Sequence, residues 1–503
     1  MWSALLILGC RPPPVSPPPP PPPPPTADLT IVASPDDATI AFADQPPVNG
    51  SLSLDGLSPG TYALTITRRG FAPLNRSLTV EAGEAELRFA LRPMPQVLSF
   101  TPIPETAAWR LTTSDGQQRA GQGAYTGPLP AGLTAVVLSQ PGFNDELWTL
   151  FLDEDTDRTL WLDREGQVVD KVLEFKSGHH PKGVRFSPDG TELWASFLGG
   201  PPSVAGYDAT TGAERHTLTL GKHGAVEVVY SHDGQKVYAS QMETATVYEI
   251  DRAEGALLRT LPTGATWSKV MALSPEGDRL YVSNWVSADI TEFDLTSGEV
   301  LRELKTVDTP RGMWMDPAGE SLYVVGFGDG RLQKVDVETG ARTELFTSAG
   351  GALRHIVGDV SRNRAYISDM RRARIWLLDL ETGAVTALAR TDANPNTIDL
   401  TPDGRLLFVS CRGQNNRESY YKPGPQWGSV LVFDALTGEK LDAIVAGNQP
   451  TALDVSDDGR FLAYSDMLDD RISVYAIPDI SIFLEAEGGR AAVYRGELWK
   501  GRR

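Results

Sequence analysis

Cysteine is almost absent from this chain. Its 503 residues include two, Cys10 and Cys411, so a disulfide framework is excluded. Positive charge is also short: 46 Lys and Arg face 65 Asp and Glu, for a net charge of −19. That balance argues against nucleic acid as a partner. No apolar run approaches the roughly 20 residues of a membrane-spanning helix; the apolar N-terminal stretch ends by Gly9. There are six histidines, none in a Cys-x-x-Cys-His haem site or a metal-ligand spacing. No catalytic triad or phosphate loop is evident, so neither cofactor nor metal is expected. Cys411 reads as a buried packing residue.

Turn chemistry, by contrast, is abundant, and it recurs. A short signature appears at Ser187-Pro-Asp-Gly, Ser231-His-Asp-Gly, Ser274-Pro-Glu-Gly, Asp316-Pro-Ala-Gly, Asp359-Val-Ser-Arg, Thr401-Pro-Asp-Gly and Ser456-Asp-Asp-Gly. The steps are 44, 43, 42, 43, 42 and 55 residues. Seven positions on sit Trp194, Tyr238, Tyr281, Tyr323, Tyr366, Phe408 and Ala463. A second signal, Asp-x-x-(Thr/Ser/Glu)-Gly, spans 208–212, 251–255, 294–298, 336–340, 379–383 and 434–438. Asp and Gly there supply the local hydrogen bond and positive φ of a tight hairpin. Units of 40 to 50 residues, each with four strand-like runs, predict the blades of a β-propeller. The seventh unit, 450–477, shows three strands, and residues 167–175 are a spare one. Pairing them would close the ring; residues 481–485 are the competing strand.

The N-terminus has its own logic. Ile7-Leu8-Gly9-Cys10 resembles a bacterial lipobox with Cys10 as the lipidated residue, although no Lys or Arg precedes the apolar run. Twelve prolines follow between residues 11 and 26, nine of them consecutive. They predict a polyproline II spacer of about 40 Å. A further repeat, of 72 residues, aligns Gly60, Gly70 and Phe71 with Gly132, Gly142 and Phe143. The first copy carries Ser34-Pro-Asp-Asp-Ala, the Pro59-Gly-Thr-Tyr strand and Gly70-Phe71, and it resembles the PEGA family of small extracytoplasmic β-sandwiches. The second is a degenerate copy. The resemblance implies spacers, not chemistry.

The larger repeats resemble the YVTN-type repeats of bacterial surface and lactonase-like propellers. The carriers are the Ser-Pro-Asp-Gly turns, strands such as Arg279-Leu-Tyr-Val-Ser283, and the Asp-x-x-Thr-Gly turns, over residues 167–477. The resemblance implies a seven-bladed fold; one related branch hydrolyses sugar lactones. The expected class is therefore all-β: a seven-bladed β-propeller preceded by two small β-sandwich modules. The expected divisions are 1–10 (signal and lipobox), 11–26 (linker), 27–93 and 94–165 (β modules), 166–478 (propeller) and 479–503 (tail).

In such a ring, loops entering the innermost strands converge on one channel mouth. Five positions before each signature lie Lys182, Val226, Lys269, Arg311, Arg354, Asn396 and Thr451. Four cations there would focus a positive potential and could hold an anion. Ion pairing with Glu227, Asp308 or Asp392 is the alternative. His180 and His355 fall at the same mouth, as do His179 and His223. The long sixth unit places its extra residues at 412–428, where Tyr420, Tyr421 and Trp427 suit stacking or protein contact, or pack the loop down. Two functions follow. One is an extracytoplasmic lipoprotein, expected at the outer membrane and monomeric, that binds a cell-envelope protein or anionic glycan. The other is a lactonase-like hydrolase, with Glu227 or a histidine as general base and Arg311 or Arg354 polarising the carbonyl.

Overall fold

The structure, a computed structural model, describes residues 26–162, 165–486 and 490–500. Cys10 and the proline-rich linker lie outside the described residues. The chain divides into two compact units, one ending at Leu162 and one holding residues 142–144 and everything from Asp163 onward.

The first unit contains two β modules of one design. In the first, Ala27–Ser34 lies between Ser51–Leu57 and Gly83–Ala90, antiparallel to the former and parallel to the latter. The second sheet runs Val48–Asn49, Thr39–Phe42, Gly60–Thr67, Leu74–Val80. Every second residue of Ala27–Ser34 is buried, and Leu29 and Ile31 join Ile40, Phe42, Leu64 and Ile66 in one core. Period-two burial of this kind belongs to a sheet with one face on the core. The second module repeats both sheets. Pro95–Ile103 lies between Tyr125–Pro130 and parallel Thr156–Trp161, and Gln118–Gln122, Ala108–Thr112, Gly132–Ser139 and Glu146–Leu152 form the other. Gly70 and Gly142, aligned by the repeat, share φ of +81°.

The second unit is a ring of seven four-stranded antiparallel sheets. The innermost strands are Pro181–Phe186, Glu227–Tyr230, Ser268–Leu273, Pro310–Met315, Leu353–Asp359, Pro395–Leu400 and Pro450–Val455. Second strands such as Glu192–Phe197, Ser321–Gly326 and Leu406–Cys411 are buried throughout, because a neighbouring blade covers each face. Cys411 is among these buried residues. Outer strands such as Ala256–Pro262 are largely exposed.

The signature works as a turn. Ser187 Oγ donates to Asp189 Oδ1 at 2.6 Å and accepts from the Glu192 N–H at 3.0 Å, and Gly190 takes φ of +70°. Ser456, Asp458 and Gly459 repeat the arrangement. The fifth unit lacks the glycine; a single 3-10 turn, Val360–Arg362, replaces it and Asn363 adopts the left-handed conformation at φ +55°.

Asp170–Lys176 pairs antiparallel with Arg471–Ala476 and completes the seventh blade. The competing run 481–485 is not a strand: Ile480–Glu485 is a short helix, capped by Asp479 accepting from the Ser481 N–H. The C-terminal segment is also more than a tail, since Tyr494 and Leu498 enter the core of the sixth blade beside Leu431 and Phe433.

Candidate functional site

The site begins with backbone geometry. Two residues before the ring position, His180, Trp267, Thr309, Asn394 and Gln449 take φ between +55° and +63°. The ladder between the first and second strands then shifts register at Pro181/Gly183, Ser268/Met271, Pro310/Gly312, Leu353/His355, Pro395/Ile398 and Pro450/Leu453. Each irregularity contains the ring residue: Lys182, Lys269, Arg311, Arg354, Asn396 or Thr451. A bulge re-aims the side chain it carries, and here it directs Lys182, Lys269, Arg311 and Arg354 to the cavity.

A belt of serine hydroxyls supports these bulges. Ser196, Ser368 and Ser465 accept the N–H just after the ring residue, from Gly183, His355 and Ala452 at 2.9–3.2 Å. Ser368 Oγ also donates to the Asn396 carbonyl of the next blade at 2.7 Å, and Ser465 Oγ to that of Pro181 at 3.1 Å. The belt has a sequence signal that the turn pattern alone does not bring out: nine positions after each signature stands Ser196, Ser240, Ser283, Ser368, Ser410 or Ser465, with Val325 the exception.

The ring opens into a cavity of about 370 Å³. Lys182, Lys269, Arg311 and Arg354 all line it, joined by Arg412 from the start of the long loop. All five cations are at most 9% exposed. The aromatic wall is Trp267, Trp285, Phe327, Tyr420 and Tyr421. Much of this lining also follows the repeat. Eleven positions after each signature lie Leu198, Met242, Trp285, Phe327, Met370, Arg412 and Met467. The first six line the cavity, and Met467 Sδ lies 3.1 Å from the Tyr420 hydroxyl.

The cations rest on aromatic faces more than on carboxylates. Lys269 Nζ sits 3.1 Å from the Trp285 ring centre, Arg412 4.3 Å from that of Tyr420 and Arg354 5.7 Å from that of Phe327. Lys182 Nζ donates to the Tyr420 hydroxyl, and Arg354 Nε to Asn396 Oδ1. The expected ion pairs are corrected accordingly. Of the three candidates only Glu227 approaches, 4.0 Å from Arg311. Asp392 is engaged with Ser429, Tyr494 and Arg495 instead, and Asp308 accepts from Thr309.

Charges of one sign this deeply buried oppose one another. Burial, then Arg412 and the other cations, hold the Lys182 ammonium well below its ordinary range; burial, Arg311 and Arg354 do the same to Lys269. Burial also lowers Arg311, Arg354 and Arg412. Burial raises the Glu227 carboxyl against the pull of Arg311. Arg311 Nε, Arg412 Nε and Trp285 Nε1 are buried without a hydrogen-bond partner among the described residues. The arrangement can hold a multiply charged anion.

The other expected residues divide. Tyr421 lines the cavity, and His180 stands against it at 5.3 Å between ring centres. His355 does not line the cavity; burial and the nearby Arg185, Arg311 and Arg354 push its imidazole down to about 3, leaving it neutral. Trp427 is a correction: it is not among the lining residues, lies under Lys500 Nζ at 4.4 Å, and its backbone N–H donates to the Leu498 carbonyl. It packs the loop against the C-terminal segment. His179, His180 and Asp470 form a group able to hold a metal, but Asp470 already faces His179 Nδ1 at 2.9 Å and accepts the His180 N–H at 2.8 Å. Beyond the ring, Arg185 pairs with Asp454 at 2.6 Å. Burial and the like charge of Asp399 push Asp454 up to about 7, against the pull of Arg185.

Comparison with known proteins agrees with the fold. The family model described as outer membrane protein assembly factor BamB matches residues 148–387. Antigen Lp49 of Leptospira interrogans is 34% identical over 356 residues, covering 67% of this chain and 76% of that protein. The seven-bladed β-propeller protein Rv1057 of Mycobacterium tuberculosis is 25% identical over 134 residues, 26% of this chain and 31% of its own length. Among solved structures, the Kuenenia stuttgartiensis hydrazine synthase superposes with a TM-score of 0.52 at 18% identity, covering 60% of this chain and 97% of that one. That likeness concerns fold alone.

Proposed function

This chain belongs to the family of antigen Lp49, and from that membership we propose that it is a binding or scaffolding module of the bacterial cell envelope. The upper face of the propeller recognises an anionic ligand, glycan or protein partner. The observation that carries this reading is the charge of the cavity: five buried cations, with Glu227 the one carboxylate among the described lining residues. A binding partner of opposite charge would relieve the repulsion that now holds Lys182 and Lys269 below their ordinary range. Cys10 would carry a lipid, the prolines would hold the folded part off an outer-membrane surface, and the two sandwiches would serve as PEGA-like spacers. The protein would act as a monomer.

The test is thermal unfolding of the chain against acidic glycans, peptidoglycan fragments and small polycarboxylates. A ligand at 100 times its Kd adds about 2.7 kcal/mol when it binds only the folded state. The shift should vanish when Lys182, Lys269, Arg311 and Arg354 become Ala. No shift with any acidic compound would overturn the anion reading.

One observation favours a second function. Glu227, with 18% of its side chain exposed, has a raised carboxyl and faces Arg311 at 4.0 Å. That pair suits a general base beside a group that polarises a carbonyl, as a lactonase-like hydrolase requires. Hydrolysis of sugar lactones, abolished by Glu227→Gln, would establish it.

A further inference from the structure

The donor and acceptor inventory of the cavity narrows the ligand. Lysine and arginine side chains and the indole N–H only donate. Of the side-chain oxygen acceptors among the described lining residues, Tyr420 is engaged by Lys182 and Met467, which leaves Glu227, Asn415 and the Tyr421 hydroxyl. A sugar brings many hydroxyl donors, and each one buried without an acceptor costs affinity. The lining suits a ligand that accepts and does not donate.

The walls say the rest. Trp267 and Trp285 lie nearly parallel, 19° apart with ring centres at 6.1 Å, and Phe327 continues the surface 5.7 Å from Trp285. Trp267 is 43% exposed, so it is not held by a core. It nevertheless occupies the left-handed region at φ +63°, an uncommon and strained conformation for a bulky residue. Four other blades use His180, Thr309, Asn394 and Gln449 at this position, so the geometry does not call for an indole. An exposed aromatic face beside five buried cations is a stacking platform.

We infer that the cavity binds a flat aromatic polycarboxylate poor in hydroxyl groups, its ring against Trp267 and Trp285 and its acidic groups on Lys182, Lys269, Arg311, Arg354 and Arg412. This rests on the anion-binding reading and specifies it. Guanidinium groups fork onto planar carboxylates, and the Nε of Arg311 and of Arg412 is buried without a hydrogen-bond partner among the described residues.

The experiment is titration of the full chain with three probes, by calorimetry and indole fluorescence. Trimesate is an aromatic tricarboxylate, tricarballylate its aliphatic counterpart with the same number of charges, and digalacturonate an acidic sugar. Trimesate should bind about tenfold tighter than tricarballylate and quench indole emission. Trp267→Gly should bring the ratio of the two affinities near one. Glycine accepts the left-handed backbone without penalty, so the variant is expected to fold. Equal binding of the two tricarboxylates, or tighter binding of digalacturonate, would overturn the aromatic inference and leave anion binding standing. Binding of none of the three would overturn both.

Discussion

A lysine buried in a ring of cations gives up its proton more readily than a free one, and that has a measurable sign. Lys269 is depressed by burial, Arg311 and Arg354, so between its folded value and the unfolded value near 10.4 the unfolded chain binds more protons. Stability should therefore rise with pH through that window. Lys269→Met should flatten this part of the profile and stabilise the ligand-free protein by about 1 kcal/mol, while weakening trimesate at least about tenfold. Chemical denaturation at several pH values, paired with calorimetric titration, checks both. Asp454 behaves oppositely. Its carboxyl rises from 3.8 to about 7, so the folded protein holds a proton that the unfolded chain releases. Stability from this group is full below 3.8 and declines as pH rises toward about 7. Asp454→Asn should lose less stability than the wild type between pH about 4 and about 7, by more than about 1 kcal/mol. The ring residues were legible because each stands at a constant offset from a recognisable turn. Arg412 keeps a constant offset too, eleven positions after its signature, but it is the one cation in a column otherwise apolar or aromatic, so no charge pattern marks it.

At the scale of the element, the serine belt ties bulge to neighbouring blade. Ser368 satisfies the His355 N–H and the Asn396 carbonyl at once. Ser368→Ala leaves both buried groups unpaired and should cost about 1–3 kcal/mol, read from urea unfolding. Strand positions followed from the repeat, and the boundaries agree closely: the strand Arg279–Ser283 was expected and Arg279–Asn284 is found. The bulges were invisible for a physical reason. A bulge is a relation between two strands, and no single strand's composition reveals it. Residues 481–485 misled because an apolar run of that length fits either helix or strand. Asp479, two residues before Ser481, was the missed capping signal.

At the scale of the whole molecule, two compact units predict two unfolding transitions in a calorimetric scan of the chain. Trimesate should move one of them and leave the other where it was. Ring architecture was the most legible property of all, since seven signatures at near-equal steps fit a ring of blades and little else. Closure has a further consequence, in time rather than in space. Arg471 meets Glu174 across 297 residues of sequence, so the closing strand is made first and its partner last. At roughly 5–20 residues per second the first strand waits about 15–60 s for the seventh blade to emerge. Until then the ring cannot close, although the cavity walls come from blades one to six. Under the proposed reading, recognition would therefore start only when synthesis of the propeller ends, and a chain stopped short of the seventh blade should fail to bind trimesate.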